Sequence, residues 1–128
     1  MMTALFERIS LQAHQYPQRE AVVTAQATLS YAELQRRIEL LSASFMQLNL
    51  RRLTLWGVNS IDWIVVDLAA QKAGMTVIPV PLFFTAAQVR HLLSDSRTEL
   101  LCILDESFSA PEWLLNLAKD MSRDEISI

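Results

Sequence analysis

"KAGMTVIPVPLFFTAAQ", residues 72–88, holds one of the two glycines and two of the four prolines in a chain of 128 residues. Gly74 stands where a helix C-terminus takes a left-handed residue. "TVIPV" then reads as a short strand whose far end is interrupted by proline, which has no amide to give to a ladder. "PLFF" is a loop leaving the strand's carboxyl end. Thr85 and Gln88 have the spacing of a capping box, which opens a helix over "AAQVRHLLSDS". Helix, strand, loop and helix thus succeed one another as they do in a crossover of a layered α/β domain.

The same order extends on both sides. Upstream, "RRLTLWGV" is a short apolar run closed by Gly57, the form of a buried strand. Ser60 can cap the helix "IDWIVVDLAAQKAG", with Asp62 in its first turn, where a carboxylate suits the helix dipole. Before that, "SYAELQRRIELLSASFMQLNL" gives Ser30 and Glu33 the spacing of another capping box. Leu34, Ile38, Leu41, Phe45 and Leu48 repeat at three and four along it, which makes one apolar stripe. Glu33 and Arg37 lie four apart on its other side, a spacing at which opposite charges meet. "AVVTAQATLS" predicts two short extended runs, Ala21–Thr24 and Thr28–Ser30, joined by a turn that lacks Asn-Gly chemistry. Residues 3–14 predict a first helix carrying Leu5, Phe6 and Ile9 on one face and ended by Pro17. Downstream, "ELLCILDE" is the third buried strand. Ser109 and Glu112 then open a last helix with Trp113, Leu117 and Met121 on one side. The fold class is α/β: a three-layer parallel-sheet (βαβαβ) subdomain preceded by a helix and a small hairpin.

Composition narrows the function classes. Hydrophobic residues make up 52% of the chain and charged residues 20%, a globular balance that argues against disorder. The net charge is −3 and the arginines are scattered, so no nucleic-acid footprint or polybasic membrane patch is present. The longest uncharged run, between Lys72 and Arg90, falls short of the roughly 18–20 apolar residues of a membrane span and is broken by glycine and proline. The N-terminus lacks the basic-then-apolar order of a signal peptide. A single cysteine, Cys102, fits a reducing compartment. The expectation is a cytoplasmic chain.

Chemistry-bearing patterns are few. Phosphate-cradling loops need several closely spaced glycines, and Gly57 and Gly74 are far apart. One cysteine with His14 and His91 makes no metal-ligand cluster. His91 reads as a surface histidine, Cys102 as a small core residue, and Trp56 and Trp63 as core or interface aromatics. Arg51 and Arg52 read as a solvated strand edge rather than an anion site. Asp62 and Asp67, five apart on one helix, share no face for general acid–base work. The loop formed by Pro81, Phe83 and Phe84 reads either as local packing under the next helix or as a docking surface for another domain or an apolar substrate. It lies outside the carboxyl end of a strand, where ligands of open parallel sheets sit, and two adjacent aromatics there cannot both turn inward. It is the candidate docking or substrate-side loop.

The pieces "LSYAELQRR", "NSIDWIVVDLAAQKAG" and "VIPVPLFFTAAQVRHLLSDS", in this order and spacing, resemble the N-terminal region of the AMP-forming acyl-CoA synthetases, members of the adenylate-forming superfamily. The resemblance implies that residues 1–105 are a partial N-terminal subdomain of an AMP-binding ligase, with 106–128 a C-terminal helix and tail. It implies a complete enzyme that activates a carboxylate, fatty acyl in class, as an acyl-adenylate using ATP and Mg, then passes it to CoA. "QLNLRRLTLWG" departs from the family by lacking a glycine-containing turn before the strand. The family's Ser/Thr/Gly-rich ATP loop and catalytic lysine find no counterpart here, so no catalytic, cofactor-binding or metal residue carries over. The expectation is a chain that binds none of these cofactors alone and is inactive alone. Its expected partner is the remainder of the ligase or a complementary subunit, with self-association through exposed apolar surface. The alternative is a free-standing, non-catalytic interaction module derived from such a ligase. A small nucleotide binder of Rossmann type is disfavoured by the missing glycines.

Overall fold

The computed structural model describes residues 3–104 and 110–121. Five helices and five strands occur among them, in the order α1 (Thr3–Gln15), β1 (Glu20–Val23), β2 (Thr28–Ser30), α2 (Tyr31–Leu48), β3 (Arg52–Trp56), α3 (Ile61–Lys72), β4 (Thr76–Pro79), α4 (Ala86–Asp95), β5 (Leu100–Ile103) and α5 (Glu112–Met121). They form two compact units. One comprises residues up to Arg51 together with 59–76, and the other comprises 52–58 and the residues from Val77 onward.

The first unit is helical with a hairpin. β1 and β2 pair antiparallel, with an irregularity between Glu20 and Val22. The turn chemistry that Ala25-Gln26 lacks is supplied by Thr24. Its hydroxyl accepts from the amides of Gln26 at 3.3 Å and Ala27 at 3.1 Å, and its own amide donates to the Ala27 carbonyl at 2.8 Å. A threonine side chain mimicking a backbone turn is a weaker sequence signal than Asn-Gly.

Helix α2 starts as its cap predicts, with the Ser30 hydroxyl accepting from the Glu33 amide at 3.2 Å. The reciprocal half of the box does not form. Glu33 turns instead to Arg36, at 2.5 Å, and not to Arg37. That hydrogen bond, more than any other influence, holds the Glu33 carboxyl below its usual range. Arg37 instead crosses to Asp62 of α3 at 2.5 Å, so Asp62 serves an interhelical ion pair. Leu34, Ile38 and Phe45 are buried as the stripe requires, with Leu41 and Leu48 half-buried. Ile9, Leu29, Leu34, Ile38 and Val65 make the core, with Phe6 packed against it. Leu5 is exposed, contrary to expectation, because Ile9 and Ala13 are the residues α1 turns inward.

Helix α3 begins at Ser60, whose hydroxyl accepts from the Trp63 amide at 3.2 Å. It ends at Gly74, whose φ is +83°. The amides of Gly74 and Met75 donate to the carbonyls of Gln71 at 3.0 Å and Ala70 at 2.9 Å, the paired bonds of a Schellman motif.

The second unit is built on the parallel sheet β4-β3-β5, with β3 central. β3 pairs with β5 in register from Leu53↔Leu100 to Trp56↔Ile103. Trp56, Val80, Val89, Leu93, Leu114 and Leu117 form its core. The Thr85–Gln88 capping box of α4 is complete: the Thr85 amide donates to Gln88 Oε1 at 2.8 Å, and the Gln88 amide donates to Thr85 Oγ1 at 3.3 Å. Helix α5 buries Leu114 and Leu117 rather than a Trp113–Leu117–Met121 stripe; Trp113 packs at the rim and Met121 is exposed. Its expected cap Ser109 lies outside the described residues, as do Asp105 and Glu106 of "ELLCILDE".

Two backbone positions control this unit. Gly57 follows β3, and a Cβ there would meet Leu104 Cβ at 2.8 Å and the Leu104 carbonyl at 3.2 Å. Arg97 takes φ +54° at the end of α4, a conformation that suits glycine, while its amide and that of Thr98 close a second Schellman pair on Ser94 and Leu93. Gly57→Ala is therefore expected to destabilise the chain by about 1–3 kcal/mol, as overpacking does. Arg97→Gly is expected to stabilise it by about 0.5–1 kcal/mol, because the left-handed penalty outweighs glycine's extra entropy cost. Urea unfolding of both variants checks the two signs.

Candidate functional site

The carboxyl ends of the three parallel strands converge within the second unit. The ladder continues past the strands themselves, because the Val80 amide donates to the Leu55 carbonyl and the Leu104 amide to the Trp56 carbonyl, both at 2.9 Å. The residues leaving these ends are Gly57 and Val58 after β3, Val80 to Phe84 after β4, and Leu104 after β5.

Residues 81–84 form a tight turn in which the Phe84 amide donates to the Pro81 carbonyl at 3.0 Å. The turn places its two aromatics in different surroundings. Phe83, in the middle of the turn, is 82% exposed. Phe84, at its exit, packs against the core of the second unit. The rings stay in edge-to-face contact, with centroids 5.6 Å apart and planes at 74°. Pro81 is half-buried and Leu82 exposed. The structure thus brings Pro81, Phe83 and Phe84 together in one turn at the strand ends.

Beside the turn, Phe84, Ala87, Gln88, His91, Leu92 and Asp95 line an open groove of about 420 Å³ along α4. No Lys, Arg, Asp or Glu occurs from Ala73 to Val89, so the turn itself carries no charge to hold a phosphate or to polarise a carbonyl. Among the described residues no group of three or more His, Cys, Asp or Glu side chains could hold a metal ion. The turn can offer apolar contact area at a sheet end, and the groove beside it carries His91 and Asp95, four residues apart on α4.

The other residues singled out by sequence have structural partners or exposed positions. Arg52 donates from Nε to the Arg97 carbonyl at 2.8 Å and pairs with Glu99 at 3.5 Å, which ties the start of β3 to the turn before β5. Asp67 accepts from Gln71 at 2.9 Å, and His91 is exposed on α4. Trp56 is buried and Trp63 half-buried. Sequence reading missed a hydroxyl chain: Thr54 meets Thr98 at 2.5 Å, and Thr98 meets Ser96 at 2.6 Å. Its signal was a threonine in the middle of an apolar strand.

The family to which this architecture belongs is decided by a match of the AMP-binding enzyme family to residues 9–128. The chain belongs to the AMP-binding enzymes. Its relatives include the mitochondrial medium-chain acyl-CoA ligase ACSF2 of Rattus norvegicus, 28% identical over 92 residues that cover 68% of this chain and 15% of the relative. They also include an L-proline–[L-prolyl-carrier protein] ligase of Pseudomonas fluorescens, 31% identical over 103 residues that cover 78% of this chain and 21% of the relative. Among solved structures, the Vibrio cholerae adenylation domain AlmE, in complex with glycyl-adenosine-5'-phosphate, superposes with a TM-score of 0.76 at 20% identity. That superposition covers 91% of this chain and 21% of that one. The chain therefore spans about a fifth or less of the length of these proteins.

Within this segment of an AMP-binding enzyme, Cys102 is half-buried. Burial in β5 pushes its thiol up to about 11. The folded chain favours the protonated thiol, so this contribution to stability is fully present below the unfolded thiol's ordinary value of about 8.5 and is lost as pH rises toward 11. A thiol reagent at pH 8 is expected to label the native chain at least ~10-fold more slowly than the urea-unfolded chain. Equal rates would show that the thiol is open to solvent. No helix among the described residues is long and apolar enough to cross a membrane.

Proposed function

We propose that this chain is the N-terminal scaffold segment of an AMP-forming carboxylate–CoA ligase of cytoplasmic type, and that it does not adenylate by itself. The observation that carries this reading is the family match over 9–128, set beside a coverage of only 15% of the acyl-CoA ligase relative. In this reading the ATP, Mg and CoA chemistry belongs to residues of the complete ligase outside this segment, and the remainder of that ligase is its partner.

The sequence supports catalytic incompleteness. Stabilising the charge that develops on a phosphate needs converging backbone amides and a cation. Both glycines here serve geometry elsewhere: Gly57 admits Leu104, and Gly74 closes α3. The two lysines, Lys72 and Lys119, lie in the last turns of α3 and α5, and neither belongs to a glycine-rich loop. The uncharged turn of Pro81, Phe83 and Phe84 at the strand ends supports a fatty acyl substrate class, and it suits an apolar face of the remaining enzyme equally well.

The test pairs the isolated chain with the native material. The purified 128-residue chain is assayed for carboxylate-dependent ATP–pyrophosphate exchange with medium-chain fatty acids and with amino acids. Protein captured from source cells by an antibody against this chain is assayed in parallel. Background exchange by the isolated chain and fatty-acid-dependent exchange by the captured protein are expected. Exchange above background by the isolated chain would refute its incompleteness. Captured protein that exchanges with no carboxylate would refute the ligase reading, and exchange with amino acids alone would replace the fatty acyl assignment.

A further inference from the structure

We draw no further inference here: the strongest candidate, the open groove along α4 lined by Phe84, Gln88, His91 and Asp95, is an unpartnered face and nothing in the structure shows what covers it.

Discussion

Thr54 is fully buried between Leu53 and Leu55, which are equally inaccessible, so the central strand of the sheet carries a hydroxyl into an apolar layer. An unpaired hydroxyl there would cost about 1–3 kcal/mol. The hydroxyl of Thr98 meets it at 2.5 Å, and Ser96 extends the chain at 2.6 Å. This contact fixes where the turn after α4 delivers the chain to β5. The register from Leu53↔Leu100 onward follows from it, as does the approach of Leu104 to Gly57 at the other end. Arg52 reinforces the same junction by donating to the Arg97 carbonyl and pairing with Glu99. A polar anchor at the amino end of β3 and a side-chain-free position at its carboxyl end thus set the geometry of the second unit. The carboxyl end, where the aromatic turn lies, is therefore held by the packing of the strands beneath it.

What the sequence made legible were features whose physics is local. The Ser60 and Thr85 caps, the Gly74 terminus and the α2 stripe each depend on residues within one or two helical turns, and each appears where expected. The expectations that failed involve choices between competing partners. Glu33 could reach back to its cap or forward to an arginine, and it chose Arg36 once Arg37 had a long-range partner in Asp62. Helix α5 carries apolar residues on more than one side, so periodicity alone could not say that Leu114, rather than Met121, is buried. The left-handed Arg97 has no local signature; it is tolerated because the Schellman bonds and the Arg52 contact to its carbonyl hold the turn.

The candidate site was legible in part for a related reason. That Phe83 and Phe84 could not both turn inward follows from their adjacency. Which one turned outward depends on the hydrogen bond from Phe84 to Pro81, which puts Phe83 in the middle of the turn. Proline contributes twice here: Pro79 ends the strand, and Pro81 begins the turn with a restricted φ. The turn therefore exposes a large apolar ring by backbone construction, without strain and without help from any charged neighbour.

An exposed ring on a hydrogen-bonded turn and a phosphate cradle make opposite demands on a chain. The first needs restricted backbone and an anchored neighbour, which Pro81 and Phe84 supply. The second needs glycines, so that amides can converge on an anion at close range. Both glycines of this segment are committed to packing and helix termination, and its strand-end turn is of the first kind. The poverty of this segment in phosphate-binding features is thus consistent with its membership of the family, provided that the two tasks fall to different stretches of the enzyme. The backbone restriction at Pro81, beside the turn that presents Phe83, is the opposite of the freedom that a glycine-rich phosphate loop requires.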